Sequence, residues 1–323
     1  MVKIRFDGRS YDCGETQSVL EALTTHGAPI PSSCRNGICQ TCLMQALCGE
    51  LPADAQRGLK ETQQQQNYFL ACSCYPQSDL EVVLPDQMGT RAKAMVHSIE
   101  KLNAEIALVR LISESPLNYK PGQYINLFRE DSLARCYSLA SVPDDDYHLH
   151  LHVRRLPQGR MSSWIHDELK VGDALDISGA MGDCFYVPGN EDQPLLLIGT
   201  GSGLAPLYGI VRDALRARHV GQVALYHGSR SAADLYLMEE LRELALRHPN
   251  FRYTPCVSGE EVPSGHAAGR ALSVALSDTP SLKGWRVYVC GHPDMVATTK
   301  KKTFLAGASM KDIYSDSFVL AKS

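Results

Sequence analysis

The segment Cys34-Arg35-Asn36-Gly37-Ile38-Cys39-Gln40-Thr41-Cys42 constrains this chain more than any other stretch. Three thiols spaced C-x4-C-x2-C on one short loop is the arrangement that holds a [2Fe–2S] cluster of the plant type. Such a cluster needs four thiolates around two irons, with backbone N–H groups free to turn towards the sulfurs. Gly37 supplies the freedom for that turn. The fourth ligand must come from further along, and both Cys72 and Cys74 offer one. Seven of the eleven cysteines (Cys13, Cys34, Cys39, Cys42, Cys48, Cys72 and Cys74) fall in the first quarter of the 323 residues. An odd, crowded set points to metal ligation in a reducing compartment rather than to cross-linking. A zinc site would call for a second C-x2-C knuckle or suitably spaced histidines, and the sequence has neither.

Residues 1–85 around that loop read as a small α+β unit. Lys3 to Phe6 alternates like a strand, Asp7-Gly8 marks a hairpin turn, and Ser10 to Cys13 returns. Thr16 is placed to cap a short helix with Val19, Leu20 and Leu23 on its apolar face, ending near Gly27. Leu80 to Leu84 closes the unit as a strand, stopped by Pro85. Asp86 to Ala92 suits a linker. Short strand-like runs at 106–108, 124–127, 137–139 and 149–153, separated by turn signals, then predict a small antiparallel barrel. From Pro194 apolar strands (195–198, 222–226, 287–290) alternate with helical stretches (204–217, 233–247), the pattern of a doubly wound parallel sheet. The expected fold class is therefore multidomain, α+β followed by α/β, with no internal repeat.

Charge and hydropathy narrow the function classes. A net charge of −4 leaves no basic footprint for nucleic acid. The run Leu195-Leu196-Leu197-Ile198 is far shorter than the roughly 18–20 residues of a membrane span. The segment Met1 to Asp7 lacks the apolar core of a secretory signal. A cytosolic protein with neither nucleic acid nor membrane as partner is expected.

Resemblances to known families sharpen these readings. Asn67 to Pro76 resembles the segment of plant-type ferredoxins in which a Leu-x-Cys contributes the last cluster ligand, here Leu70-Ala71-Cys72. That resemblance implies a β-grasp ferredoxin with Cys34, Cys39, Cys42 and Cys72 as ligands and Cys74 as a neighbour. Arg135-Cys136-Tyr137-Ser138 resembles the R-x-Y-S motif of the ferredoxin–NADP⁺ reductase superfamily. Gly159-Arg160-Met161-Ser162 resembles its second motif, G-x-x-S/T, opening a helix. An arginine can pair with flavin phosphate, a tyrosine can lie along the isoalloxazine, and a serine can donate to its polar edge. A helix N-terminus offers free N–H groups to a pyrophosphate. The resemblance implies FAD rather than FMN, held by Arg135, Tyr137, Ser138, Gly159 and Ser162. Taken alone, the two segments also fit an ordinary strand and a plain helix cap.

Leu195 to Pro206 is a strand, a glycine turn and a helix, with Pro206 where a dinucleotide fingerprint has its third glycine. The form G-x-G-x-x-P is similar to that of the same superfamily. Gly199, Thr200, Gly201 and Gly203 would bring the backbone to the pyrophosphate, and Pro206 suits a first helical turn. Ser229 and Arg230 follow the next strand, where such proteins read the adenosine ribose. Cys290-Gly291-His292-Pro293 resembles the family's C-G-x-P element, whose cysteine lies near the nicotinamide; a small buried thiol at a strand end is the other reading. The tail through Phe318 resembles members with a late aromatic near the flavin, although ordinary core fits Phe318 as well. NADH is expected, because similar Gly-Ser-Arg segments occur in NADH-using members. NADPH is the alternative, with Arg230 facing a 2′-phosphate.

Along its whole length the chain resembles the iron–sulfur flavoprotein reductases that serve bacterial aromatic-ring dioxygenases and multicomponent monooxygenases. The resemblance implies a ferredoxin domain over 1–88, an FAD-binding barrel over 89–190 and an NAD(P)-binding domain over 191–323. It further implies an NAD(P)H:acceptor oxidoreductase delivering electrons to an oxygenase component or a separate ferredoxin. A deoxysugar dehydrase, a small-molecule acceptor, or a redox sensor without turnover are the alternatives.

Overall fold

The computed structural model describes residues 2–85, 91–129, 133–259 and 261–318. It divides into two units, Met1–Gly89 and Thr90–Ser323. The expected linker at Asp86 to Ala92 lies largely outside the described residues, and Ala92 itself opens a strand.

In the first unit, β1 (Val2–Phe6) and β2 (Arg9–Cys13) form the expected hairpin. Its turn is Asp7-Gly8 with φ of 49° and 70°, both in the left-handed region that a two-residue hairpin loop demands. Helix α1 (Val19–Thr25) buries Val19, Leu20, Ala22 and Leu23. Ser18, not Thr16, caps it: Glu21 N donates to Ser18 Oγ at 3.3 Å and Ser18 N donates to Glu21 Oε2 at 2.9 Å. That reciprocal cap requires an acid three residues on, which Ser18 has and Thr16 lacks. With β3 (Leu43–Cys48), α2 (Glu61–Gln65), β4 (Tyr68–Leu70) and β5 (Leu80–Val83), the unit forms a sheet of order β2-β1-β5-β3-β4. Strands β1 and β5 run parallel at its centre.

The second unit begins with a six-stranded antiparallel sheet: β6 (Ala92–Lys101), β7 (Ile106–Ser113), β8 (Tyr124–Arg129), β9 (Leu133–Ser138), β10 (Leu149–Arg154) and β11 (Ala174–Ile177). Their order is β10-β7-β6-β11-β8-β9, and a Leu139–Leu151 bridge closes the edges into a barrel. Strand β6 carries its buried face on Ala94 and Val96 while exposing Met95, so its two-residue alternation is faint in the sequence. Helix α3 (Arg160–Asp167) follows β10.

The parallel sheet then runs through β12 (Leu195–Thr200), α4 (Leu204–Arg216), β13 (Val223–Ser229), α5 (Met238–Arg247), β14 (Phe251–Val257), β15 (Ala267–Ala268), α6 (Ala271–Asp278), β16 (Arg286–Gly291), α7 (Pro293–Leu305) and β17 (Ile313–Ser317). Strand order is β15-β14-β13-β12-β16-β17. Leu207 and Leu241 of α4 and α5 fill one face, and Leu272 of α6 with Met295 of α7 the other. The helix expected from 233 starts at Met238, because Ser231 and Asp234 form a capped turn and Leu237 is left-handed, φ 53°.

Buried polar groups join the barrel to this sheet. Arg212 of α4 donates to both carboxylate oxygens of Asp146, at 2.6 and 3.1 Å. His152 of β10 pairs with the Tyr236 hydroxyl at 3.1 Å, and His227 of β13 sets its ring edge-on to Tyr236. Burial pushes His152 down to about 3 and His227 down to about 4. An unfolded imidazole titrates near about 6.5, so below that pH the unfolded chain binds protons the folded chain refuses. Urea midpoints are therefore expected to fall as pH drops from about 6.5 towards 4, and less steeply in His152→Gln. Equal steepness in both proteins would contradict this assignment.

Candidate functional site

The cluster loop is held by backbone N–H groups aimed at sulfur. Cys39 N and Asn36 N donate to Cys34 Sγ at 3.3 and 3.4 Å, and Cys34 N donates to Cys39 Sγ at 3.4 Å. The Thr41 side chain, with the backbone N–H groups of Cys34 and Thr41, holds the exposed Cys39 thiol down to about 6. Ala71 N donates to Cys42 O at 3.0 Å, which brings Cys72 beside Cys42. Burial, with Cys72 alongside, pushes Cys42 up to about 11. Among the described residues no three His, Cys, Asp or Glu side chains converge as one ion would require. The thiols stand instead as two pairs, Cys34 with Cys39 and Cys42 with Cys72. That donor set fits two irons, each taking two thiolates. Cys74 is fully buried beneath α1, where Val19 N donates to its carbonyl at 2.8 Å; burial, with Cys13 nearby, pushes its thiol up to about 12.

On the barrel, β9 presents Arg135 exposed, Tyr137 half-buried and Ser138 buried. Gly159 caps α3 without a side-chain hydrogen bond, so the first-turn N–H groups are open to an anion. Ser162 departs from the expected contact role. Its buried hydroxyl accepts from Leu156 N at 3.1 Å and donates to Gly159 O at 3.2 Å, folding the loop onto the helix start. A Cβ at Gly159 would stand 2.4 Å from that hydroxyl, which is why glycine is needed there. An exposed guanidinium and an uncapped helix end fit a diphosphate.

In the parallel sheet the chain winds outward from β12 through β13 and β14, then returns to place β16 on the other side of β12. The crevice beyond the carboxyl ends of β12 and β16 is thus a topological switch point, where such sheets bind ligands. Gly199, Thr200, Gly201 and Gly203 end β12 and lead into α4, whose first turn contains Pro206. A Cβ at Gly203 would meet the Cys290 carbonyl oxygen at 2.3 Å, so only glycine lets the turn lie against β16. Gly291 sits beside Thr200, its missing Cβ 2.8 Å from Thr200 Oγ1. Ser229 and Arg230 lie at the end of β13 and just beyond it, where Ser258 N and Gly259 N donate to their carbonyls at 3.1 and 2.9 Å. Phe318 N donates to Gly291 O at 2.9 Å, bringing the half-buried Phe318 back to the crevice.

Sequence reasoning missed Asp316. From β17 its carboxylate accepts from Ser138 Oγ at 2.7 Å, joining the strand with the flavin motif to the crevice. Its backbone pairs with Cys290 across β16 and β17. Burial, helped by Asp183, pushes the Asp316 carboxyl above its usual range against the hydrogen bond from Ser138. The only sequence signal was an acid in an otherwise uncharged strand. Cys290 is fully buried, and its thiol is held well above the usual range by burial and by Cys184, whose sulfur lies at 3.8 Å.

Comparison with known proteins fits this geometry. Three family models match in order: a 2Fe-2S iron-sulfur cluster binding domain over residues 2–77, an oxidoreductase FAD-binding domain over 93–186 and an oxidoreductase NAD-binding domain over 197–301. The reductase subunit of an aromatic O-demethylase from Amycolatopsis sp. is 37% identical over 97% of both chains. The chain belongs to the iron–sulfur flavoprotein reductases. The ferredoxin–NAD(P)⁺ reductase component of the naphthalene 1,2-dioxygenase system of Pseudomonas putida is 33% identical over 93% of both chains. The crystal structure of the Amycolatopsis reductase GcoB superposes with a TM-score of 0.70 at 35% identity, covering 98% of this chain and 99% of that one. As a member of this family the protein is an NAD(P)H-dependent oxidoreductase with a [2Fe–2S] cluster, FAD and a nicotinamide nucleotide as its cofactors. No helix among the described residues is long and apolar enough to cross a membrane.

Gly203→Ala tests the crevice. The added methyl meets backbone that cannot yield, so NAD⁺ affinity should fall at least tenfold, with a stability loss of about 1–3 kcal/mol. Titration with NAD⁺ and a thermal melt measure both. Parental affinity in the variant would show that the turn does not serve the nucleotide.

Proposed function

We propose that the protein takes a hydride from NADH and passes single electrons to an oxygenase component or a separate ferredoxin in aromatic hydroxylation. The observation that carries this reading is the Ser138–Asp316 hydrogen bond of 2.7 Å, which ties the flavin-motif strand to the lip of the nucleotide crevice. The names of the relatives, reductases of an aromatic O-demethylase and of naphthalene dioxygenase, support the acceptor class. Functional domains are assigned to 1–88, 89–190 and 191–323.

Each group has a role in this reading. Cys34, Cys39, Cys42 and Cys72 ligate the cluster. Arg135 neutralises flavin phosphate, Tyr137 lies along the ring, and Ser138, its hydrogen held by Asp316, borders the polar edge of the ring. The first-turn N–H groups after Gly159 bind the flavin pyrophosphate, with Ser162 shaping the loop. Gly199 to Gly203 and the start of α4, with Pro206, take the nicotinamide nucleotide's pyrophosphate. Ser229 and Arg230 border the adenosine ribose, while Cys290, Gly291 and Phe318 border the rings. Asp316, accepting from Ser138 Oγ at 2.7 Å, orients that hydroxyl. Bound FAD accepts two electrons as a hydride and releases them singly, which is chemistry the cofactor brings. The Asp234 carboxylate, fixed on Ser231 Oγ at 2.9 Å in the turn after β13, favours NADH, because an acid there suits a ribose 2′-OH and repels a 2′-phosphate.

Anaerobic NADH should bleach both the flavin and the cluster absorbance, with kcat/KM at least tenfold higher for NADH than for NADPH. A protein bleached by neither nucleotide would refute the reading. Cys72→Ser should lose the cluster spectrum while Cys74→Ser retains it; the reverse outcome would reassign the fourth ligand.

A further inference from the structure

Cys184 lies between β11 and β12, on the strap that leaves the barrel, and has no part in the motifs above. It is buried, and its sulfur stands 3.8 Å from that of Cys290. Its backbone is fixed, since a Cβ at Gly122 would come within 2.4 Å of the Cys184 carbonyl oxygen. Cys290 is pinned on its other sides. Its carbonyl faces Gly203, and its backbone pairs with Asp316 of β17. Four segments therefore meet at one thiol: the turn before α4, β16, β17 and the barrel strap.

We propose that Cys184 is a positioning residue for hydride transfer, its sulfur fixing the rotamer of Cys290 against the nicotinamide crevice. A cysteine side chain has three staggered wells, and the choice among them here depends on what packs beside the sulfur. The pairing of Cys290 with Asp316 fixes the backbone but leaves the thiol hydrogen undirected. Cys184 supplies both the packing surface and a weak partner for that hydrogen. Because the partner comes from the barrel, the contact also registers the barrel against the end of β16 where the two rings must stack. Misplacement of reacting groups by as little as about 1 Å can cost a large rate factor.

This inference rests on the reductase reading, and the experiment separates the two. Anaerobic stopped-flow reduction of the FAD-loaded protein by NADH is measured for the parent, Cys184→Ala and Cys184→Ser. For Cys184→Ala the expected result is a three- to tenfold slower flavin reduction with the NADH Kd within twofold of the parent. The long-wavelength charge-transfer absorbance of the stacked rings should weaken in parallel. Cys184→Ser, which keeps a polar atom of similar size, should restore most of the rate. Parental speed in Cys184→Ala, or equal slowing in both variants, would overturn the inference, as would slowing that merely tracks lost FAD or a lowered melting temperature. If the parent itself is not reduced by NADH or NADPH, it is the reductase reading that fails.

Discussion

The architecture of the second unit hangs on one close approach, the turn Gly201–Gly203 lying against the carbonyl of Cys290. There the end of β12, the start of α4 and the end of β16 share a space in which no Cβ fits at Gly203. That approach sets the start of a 13-residue helix, uncapped by any side chain, at the switch point. Phe318 and Asp316 reach the crevice because β17 pairs with β16 in the register that sets Asp316 opposite Cys290 and Ser317 opposite Gly291. A shift of one residue would turn Asp316 away from Ser138.

The polar groups gathered around that approach are all shifted by the burial that orders them. Cys290 and Asp316 are both pushed up, and His152 and His227 are both pushed down. A dry environment penalises whichever form carries charge, so it raises acids and lowers imidazoles.

The cluster loop works on the opposite principle. Cys34 and Cys39 are close in sequence and not buried, and their geometry comes from backbone N–H groups only a few residues away. The Cys39 thiol is lowered by those nearby dipoles, whereas the buried Cys42 is raised by desolvation.

That contrast explains what could be read in advance. The sequence by itself determined the cysteine spacing, the hairpin at Asp7-Gly8, the glycine turn after β12 and the alternation of strand and helix from Pro194, because each depends on residues a few positions apart. The N-cap of α1 is Ser18 rather than Thr16, and its signal, a serine with Glu21 three residues on, is equally local. Strand β6 was missed because small residues form its buried face. Only the tertiary structure decided that Cys72 pairs with Cys42 while Cys74 faces the core, that Ser162 turns inward, and that Asp316 meets Ser138 and Cys184 meets Cys290. Those contacts join residues up to 178 positions apart, and no periodicity records a partner at that distance; sheet register and the closing of the barrel bring such pairs together.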